Sequence, residues 1–132
     1  DLGIQLDMQV LPYPAAVQAA EQGDYHLIPF VLSSSDPQIL RSSFHSSNIS
    51  SGFNWSKVSD PELDEWLDRA AQAVDNEQRM LLYRNVQQRI MDLALIIPIR
   101  DYVNLNGVAD EVSGLRYDGQ GWFPWLYDVR LN

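Results

Sequence analysis

The chain has 132 residues, 45% of them hydrophobic and 20% charged, with eighteen Asp/Glu against nine Lys/Arg and a net charge of −9. Such a length and composition suit one globular domain, and the lack of cysteine excludes disulfides, thiolate metal sites and cysteine nucleophiles while leaving the redox compartment open. The acidic balance, with arginines scattered between Arg41 and Arg130 and no basic patch, argues against a phosphate-backbone partner, so no nucleic acid is expected.

The opening GIQLDMQVL alternates Ile4, Leu6, Met8 and Val10 with Gln5, Asp7 and Gln9, which predicts a half-buried strand over 3–11. Asp1 stands in place of an initiator Met and no signal peptide precedes the strand, so the chain reads as processed or as a piece of a longer one. Pro14 suits a first helical turn and Gly23 a C-terminal cap, predicting a helix over 14–22. The near-continuous apolar run DYHLIPFVL predicts a strand covered on both faces, with Pro29 marking an edge or a bulge. Strand, helix and strand in this order predict a parallel βαβ unit with a right-handed crossover.

Between Ser33 and Ser59 eleven of 27 residues are serine and apolar periodicity almost vanishes, as in a long functional or mobile loop. One short helix is predicted inside it, over about 37–44. Two amphipathic helices follow. The first aligns Leu63, Trp66, Leu67, Ala70 and Val74; the second aligns Leu82, Tyr83, Val86, Ile90, Leu93 and Ala94. Only Asp75 and Asn76 separate them, which predicts a helical hairpin. IIPIRDYVNLN (96–106) reads as another strand, and the aromatic, Gly-rich last quarter as irregular structure with one terminal strand. The fold class is therefore α/β. No window approaches the ~18 consecutive apolar residues of a membrane span.

Candidate chemistry is sparse. Asp60, Glu62, Asp64, Glu65 and Asp68 crowd the first turns of a helix, where exposed N–H groups and the dipole favour negative charge, so they read as a solvated helix start. His26 and His45 are the only histidines and lie at no metal-ligand spacing; His26 reads as a core or rim residue, and His45 is left open. There is no nucleophile elbow, no evident serine–histidine–aspartate set and no phosphate loop, hence no positive sign of an enzyme or a cofactor. Trp122, Phe123, Trp125 and Tyr127 read as a segment anchored on the core or on a neighbouring domain, with a sugar- or peptide-docking platform as the other reading.

The tetrapeptides Ser35-Asp36-Pro37-Gln38 and Ser59-Asp60-Pro61-Glu62 both match a capping box with serine at the N-cap. That accounts for half of FVLSSSDPQIL. Ser33 and Ser34 are left over, at the carboxyl end of a predicted strand, where open α/β sheets place ligands.

The order GIQLDMQV, GDYHLIPFVLSSSDPQIL, DPELDEWLDRAAQAVDNEQRMLLYRNVQQRI, IIPI and VSGL resembles the C-terminal part of family 5 extracellular solute-binding proteins, the dipeptide-, oligopeptide- and nickel-binding receptors of ABC importers. The resemblance implies that the chain is a fragment. Residues 1–132 would form one domain of the periplasmic-binding-protein type, with about 1–100 as the second half of the C-terminal lobe and about 101–132 as a tail returning to a missing first lobe. It also implies an extracytoplasmic location, periplasmic or lipid-anchored at the cell surface, a membrane permease as partner, and a peptide or other small solute as ligand. Two such fragments could also pair as a homodimer through apolar surface meant for the first lobe. The implied ligand-binding residues are Phe30, Leu32, Ser33, Ser34, Asp36, Asn54 and Trp55. Peptide-binding members typically carry an aspartate where Ser33 stands, so a neutral or sugar-like solute suits this chain better. An autonomous module binding glycan or protein through the aromatic tail is the alternative, and a hydrolase using the acidic residues ranks last.

Overall fold

The computed structural model describes residues 2–31, 33–100 and 103–132. Its centre is a helical hairpin. Helix α3 (Pro61–Gln72) and helix α4 (Asn76–Asp92) pack against each other, and both start as the hairpin reading requires, with an aspartate N-cap. Asp60 accepts from Leu63 N at 2.8 Å, and Asp75 accepts from Gln78 N at 2.8 Å. Each satisfies an amide that has no partner inside its helix, worth about 1 kcal/mol. The first cap falls on Asp60 and not on Ser59, because Pro61 takes the first helical position and Asp60 directly precedes it.

Leu63, Leu67 and Ala70 recur at helical spacing and are fully buried against Leu82, Tyr83, Val86 and Ile90 of α4. Trp66 is partly buried beside them, as predicted. Val74 is 97% exposed because α3 stops at Gln72, and Leu93 is exposed because α4 stops at Asp92. The end of α4 closes with Leu95 N donating to Ile90 O and Ala94 N to Met91 O, which puts Ala94 in the left-handed region at φ 51°. Leu95 thereby folds back onto the Phe44–Leu63–Leu67–Val86–Ile90 core.

Upstream, α1 (Tyr13–Gln22) ends on Gly23 at φ 76°, close to the predicted boundaries. Helix α2 (Ile39–Phe44) is short, and its Phe44 fills the hairpin core. The capping box expected at Ser35 does not form; the N-cap is Gln38, with no side-chain cap bond. A single 3-10 turn (Ser46–Asn48) follows. Two ion pairs lace these pieces to the hairpin, Arg41–Asp68 at 2.8 Å and Arg79–Asp36 at 2.7 Å, and a third, Arg89–Asp60 at 2.7 Å, ties α4 to the start of α3.

The class is α/β in content, but its sheets are small and lie elsewhere than predicted. Strands β1 (Val112–Ser113) and β4 (Arg130–Leu131) pair antiparallel, as do β2 (Arg116–Tyr117) and β3 (Pro124–Trp125). The terminal strand was expected. The strands expected over 3–11, through the DYHLIPFV run and over 96–106 are not formed among the described residues, so the βαβ unit is absent. The physical reason is visible at the N-terminus, where Leu2, Ile4, Leu6, Met8 and Val10 are 66–97% exposed. Alternation specifies a face, but a strand exists only where a neighbour completes its ladder, and among the described residues no strand is paired with this segment.

Candidate functional site

The loop that follows the 3-10 turn is organised by Asn54, which is fully buried. Its Nδ2 donates to the carbonyls of His45 (3.0 Å) and Val58 (2.9 Å), while Oδ1 accepts from Ser56 Oγ and Val58 N. All four bonds of the amide are spent within the chain, three inside the loop and one on the His45 carbonyl at the end of α2. Asn54 was expected to face a ligand; it instead sets the conformation from which Phe53 and Trp55 project.

Those two rings meet Phe30, from the segment that precedes the serine run. Phe30 lies 4.4 Å from Trp55 between ring centres at 68°, and Phe53 lies 5.8 Å from Trp55 at 77°, both edge-on. Such edge-to-face pairs contribute about 1 kcal/mol each beyond burial. Tyr25 Oη donates to the Trp55 carbonyl at 2.8 Å, and burial pushes its phenol upward, which keeps the donor protonated. Phe30 and Phe53 remain 37% and 46% exposed, so the cluster is an open aromatic shelf and not a closed core. The Trp55 Nε1–H is buried and has no partner among the described residues.

Beside the shelf in sequence lies the serine turn. Ser33 and Ser34 are exposed. Ser34 Oγ accepts from Asp36 N at 3.1 Å, and Asp36 Oδ1 accepts both Gln38 N (2.9 Å) and Arg79 Nη2 (2.7 Å). Asp36 is therefore a brace between the turn and α4. The C-terminal segment reaches this turn as well. With its amide oxygen directed inward, Gln120 accepts from Ser34 N at 3.0 Å and from Ser35 N. Asp118 and Asn104 hold the Gln120 loop, through Trp122 N (2.9 Å) and the carbonyl of Gly121 (3.1 Å) respectively. Leu32, also expected at the site, lies outside the described residues.

The remaining motifs resolve differently from the sequence reading. Asp64 and Asp68 do more than sit in solvent at a helix start. Asp64 accepts Ser46 N at 2.9 Å, and Asp68 accepts Arg41 Nε (3.0 Å) and Nη2 (2.8 Å). The Arg41 guanidinium, and next the His45 ring, hold the Asp68 carboxyl below the usual range. His45 is buried; its Nδ1 accepts from Ser47 N at 3.0 Å with Ser47 Oγ at 2.8 Å, and its Nε2 lies 3.3 Å from Asp68 Oδ1. Serine, histidine and aspartate thus stand in line, an arrangement missed in the sequence although His45 and Ser47 are two apart. It is a cap in its chemistry: the Ser47 backbone N–H occupies the nitrogen a catalytic base would need free, and Asp68 is committed to Arg41. The aromatic tail is not anchored on the core, since Trp122, Phe123, Trp125 and Tyr127 are 57–98% exposed. An open groove of about 750 Å³ along α4, lined by Pro37, Arg79, Met80, Arg84, Gln87 and Met91 among others, contains none of the expected site residues. No group of three or more His, Asp or Glu side chains able to hold a metal ion is present among the described residues.

The chain is similar to a probable di/tripeptide-binding protein 5 of Pseudomonas aeruginosa (strain UCBPP-PA14), at 26% identity over 124 residues. The match takes in 92% of this chain and 24% of that protein, so the chain spans about a quarter of its relative's length. No protein-family model matches the chain, and no solved structure matches it significantly.

Proposed function

We propose that the chain supplies one side of the ligand cleft of an extracytoplasmic solute-binding receptor serving an ABC importer, and that the solute is peptide-like. The observation that carries this reading is the meeting of Phe30 and Trp55, 25 residues apart, in a half-open shelf next to an uncharged serine turn. Small-solute sites combine such apolar walls with a few fixed polar groups. The similarity to a di/tripeptide-binding protein over 92% of the chain supports a peptide as the class of solute. The autonomous glycan- or protein-binding alternative has no support from that relative.

In this reading Phe30, Ser33, Ser34 and Trp55 touch the solute, while Asp36 and Asn54 position them. Asp36 already faces Arg79, so a solute ammonium finds no uncommitted carboxylate among these residues. Binding is the whole chemistry, and closure of a second lobe over the shelf would present the loaded receptor to the permease.

The test is a set of melting curves for the complete polypeptide carrying this chain, with di- and tripeptides and with sugars at millimolar concentration. A ligand at a hundred times its Kd stabilises by about 2.7 kcal/mol, a shift of several degrees. Peptides should raise Tm and sugars should not. No shift with any peptide contradicts the reading.

A further inference from the structure

Two successive backbone amides of the serine turn, those of Ser34 and Ser35, face the side-chain amide of Gln120, and both donors are satisfied when its oxygen is the atom turned toward them. Ser34 and Ser35 precede α2 by a full turn and, among the described residues, donate to no carbonyl of the turn itself. The amides are prepared for an acceptor from outside the turn. The neighbouring donors are already spent: Asp36 N on Ser34 Oγ and Gln38 N on Asp36 Oδ1. What the turn presents is therefore a two-donor cradle of defined direction, next in sequence to the aromatic shelf.

From this we propose that the Ser34–Ser35 amide pair is the subsite for a neutral amide carbonyl of the solute, and that Gln120 occupies it as an internal stand-in until the solute displaces it. The proposal rests on the binding reading above and sharpens the class of ligand. Gln120 carries a carboxamide carbonyl like that of a peptide bond, and with its oxygen toward the turn it satisfies both donors. A carboxylate would fit the same two donors, but it would approach a chain of net charge −9 with Asp36 directly after Ser35. A neutral carbonyl meets no such repulsion. The loop bearing Gln120 joins β2 to β3 and is closed by Asp118 N donating to Phe123 O and Gly121 N to Asp118 O. At its tip Gly119 and Gly121 flank Gln120, with Gly121 at φ 71°, and the side-chain ties from Asn104 and Asp118 are exposed hydrogen bonds. An exposed loop of this kind opens at little cost in free energy.

The test uses the 132-residue chain, labelled with ¹⁵N, and two probes: N-acetyl-trialanine amide and sodium acetate. Without probe, Gln120→Ala should move the Ser34 and Ser35 amide resonances and speed their hydrogen exchange. The capped peptide should return them toward their original positions. Its Kd should fall about five-fold in the variant, the worth of one neutral hydrogen bond no longer competed for. Acetate should perturb neither amide. If the peptide binds both proteins equally, or binds the variant more weakly, the stand-in role is overturned while the binding reading survives. If acetate takes the cradle in preference to the peptide, the ligand class is overturned. If neither protein binds the peptide at any concentration up to its solubility, the proposal and the binding reading fall together. Unmoved Ser34 and Ser35 resonances in Gln120→Ala overturn the contact itself, and Gln120→Glu, which keeps an acceptor there, guards against mistaking a local misfold for its loss.

Discussion

Asn54 Nδ2 donates to the His45 carbonyl at 3.0 Å, and through this bond the aromatic shelf is tied to the helical core. His45 is held in turn by Ser47 on one ring nitrogen and faces Asp68 with the other. Removing the amide in Asn54→Ala would orphan the carbonyls of His45 and Val58 and the N–H of Val58 in a buried setting. Each such loss costs about 1–3 kcal/mol, and incomplete additivity puts the expected total near 3 kcal/mol. Urea midpoints of the two proteins check this. An effect below about 0.5 kcal/mol, the usual range of surface substitutions, would mean that Asn54 does not organise the loop.

Acid should weaken the fold in a traceable way. The Arg89 side chain, foremost, and the Leu63 N–H next, hold the Asp60 carboxyl below the usual range; Arg41, foremost, does the same for Asp68. A carboxyl depressed in the folded state contributes stability in full above its unfolded pKa, which is about 4. That contribution is lost as pH falls through the lower folded value. Stability should therefore decline from about pH 5 downward, and Asp60→Asn and Asp68→Asn should each flatten the decline. Asparagine keeps the N-cap at position 60, so the Asp60 variant isolates the charge. Equal slopes in wild type and both variants would contradict the assignment.

Two backbone positions give opposite signs. Ala94 sits at φ 51° at the end of α4, where glycine carries no Cβ penalty. Ala94→Gly is expected to stabilise by up to about 1 kcal/mol, seen as a higher Tm. Gly114 sits at φ 77°, and a Cβ there would run into the Asp128 carbonyl. Gly114→Ala should abolish the β1–β4 pairing, read as faster amide exchange at Val112 and Leu131, while leaving the α3–α4 hairpin protected.

The hairpin was legible in the sequence because its information is local. Leu63, Leu67, Val86 and Ile90 announce their faces by spacing alone, and Asp75 caps where the periodicity restarts. The strands were not legible for the same reason in reverse. Residues 2–11 have the pattern of a strand, yet pairing is a property of two segments, and among the described residues no strand pairs with the one that carries the exposed Ile4, Leu6 and Val10. At the proposed site, Phe30, Trp55 and the serine turn are residues the sequence reading names, and the ring contact of Phe30 with Trp55 is visible only in the structure; Asn54 was read as a ligand contact because its complete internal bonding depends on the Val58 and His45 backbone. Gln120 gave no signal at all, since its partners at 34 and 35 lie some 85 positions away and are backbone amides common to every sequence.

The central claim, that the shelf and the serine turn form one side of a solute cleft, is tested most directly by titrating di- and tripeptides into the ¹⁵N-labelled chain. With half of a cleft present, binding should be weak, with Kd near ~1 mM or above, about 4 kcal/mol or less. Perturbations should concentrate on Phe30, Ser33, Ser34 and the Trp55 indole, and Trp55→Ala should abolish them. Perturbations confined to Trp122–Tyr127, or none at saturating peptide, would contradict the claim.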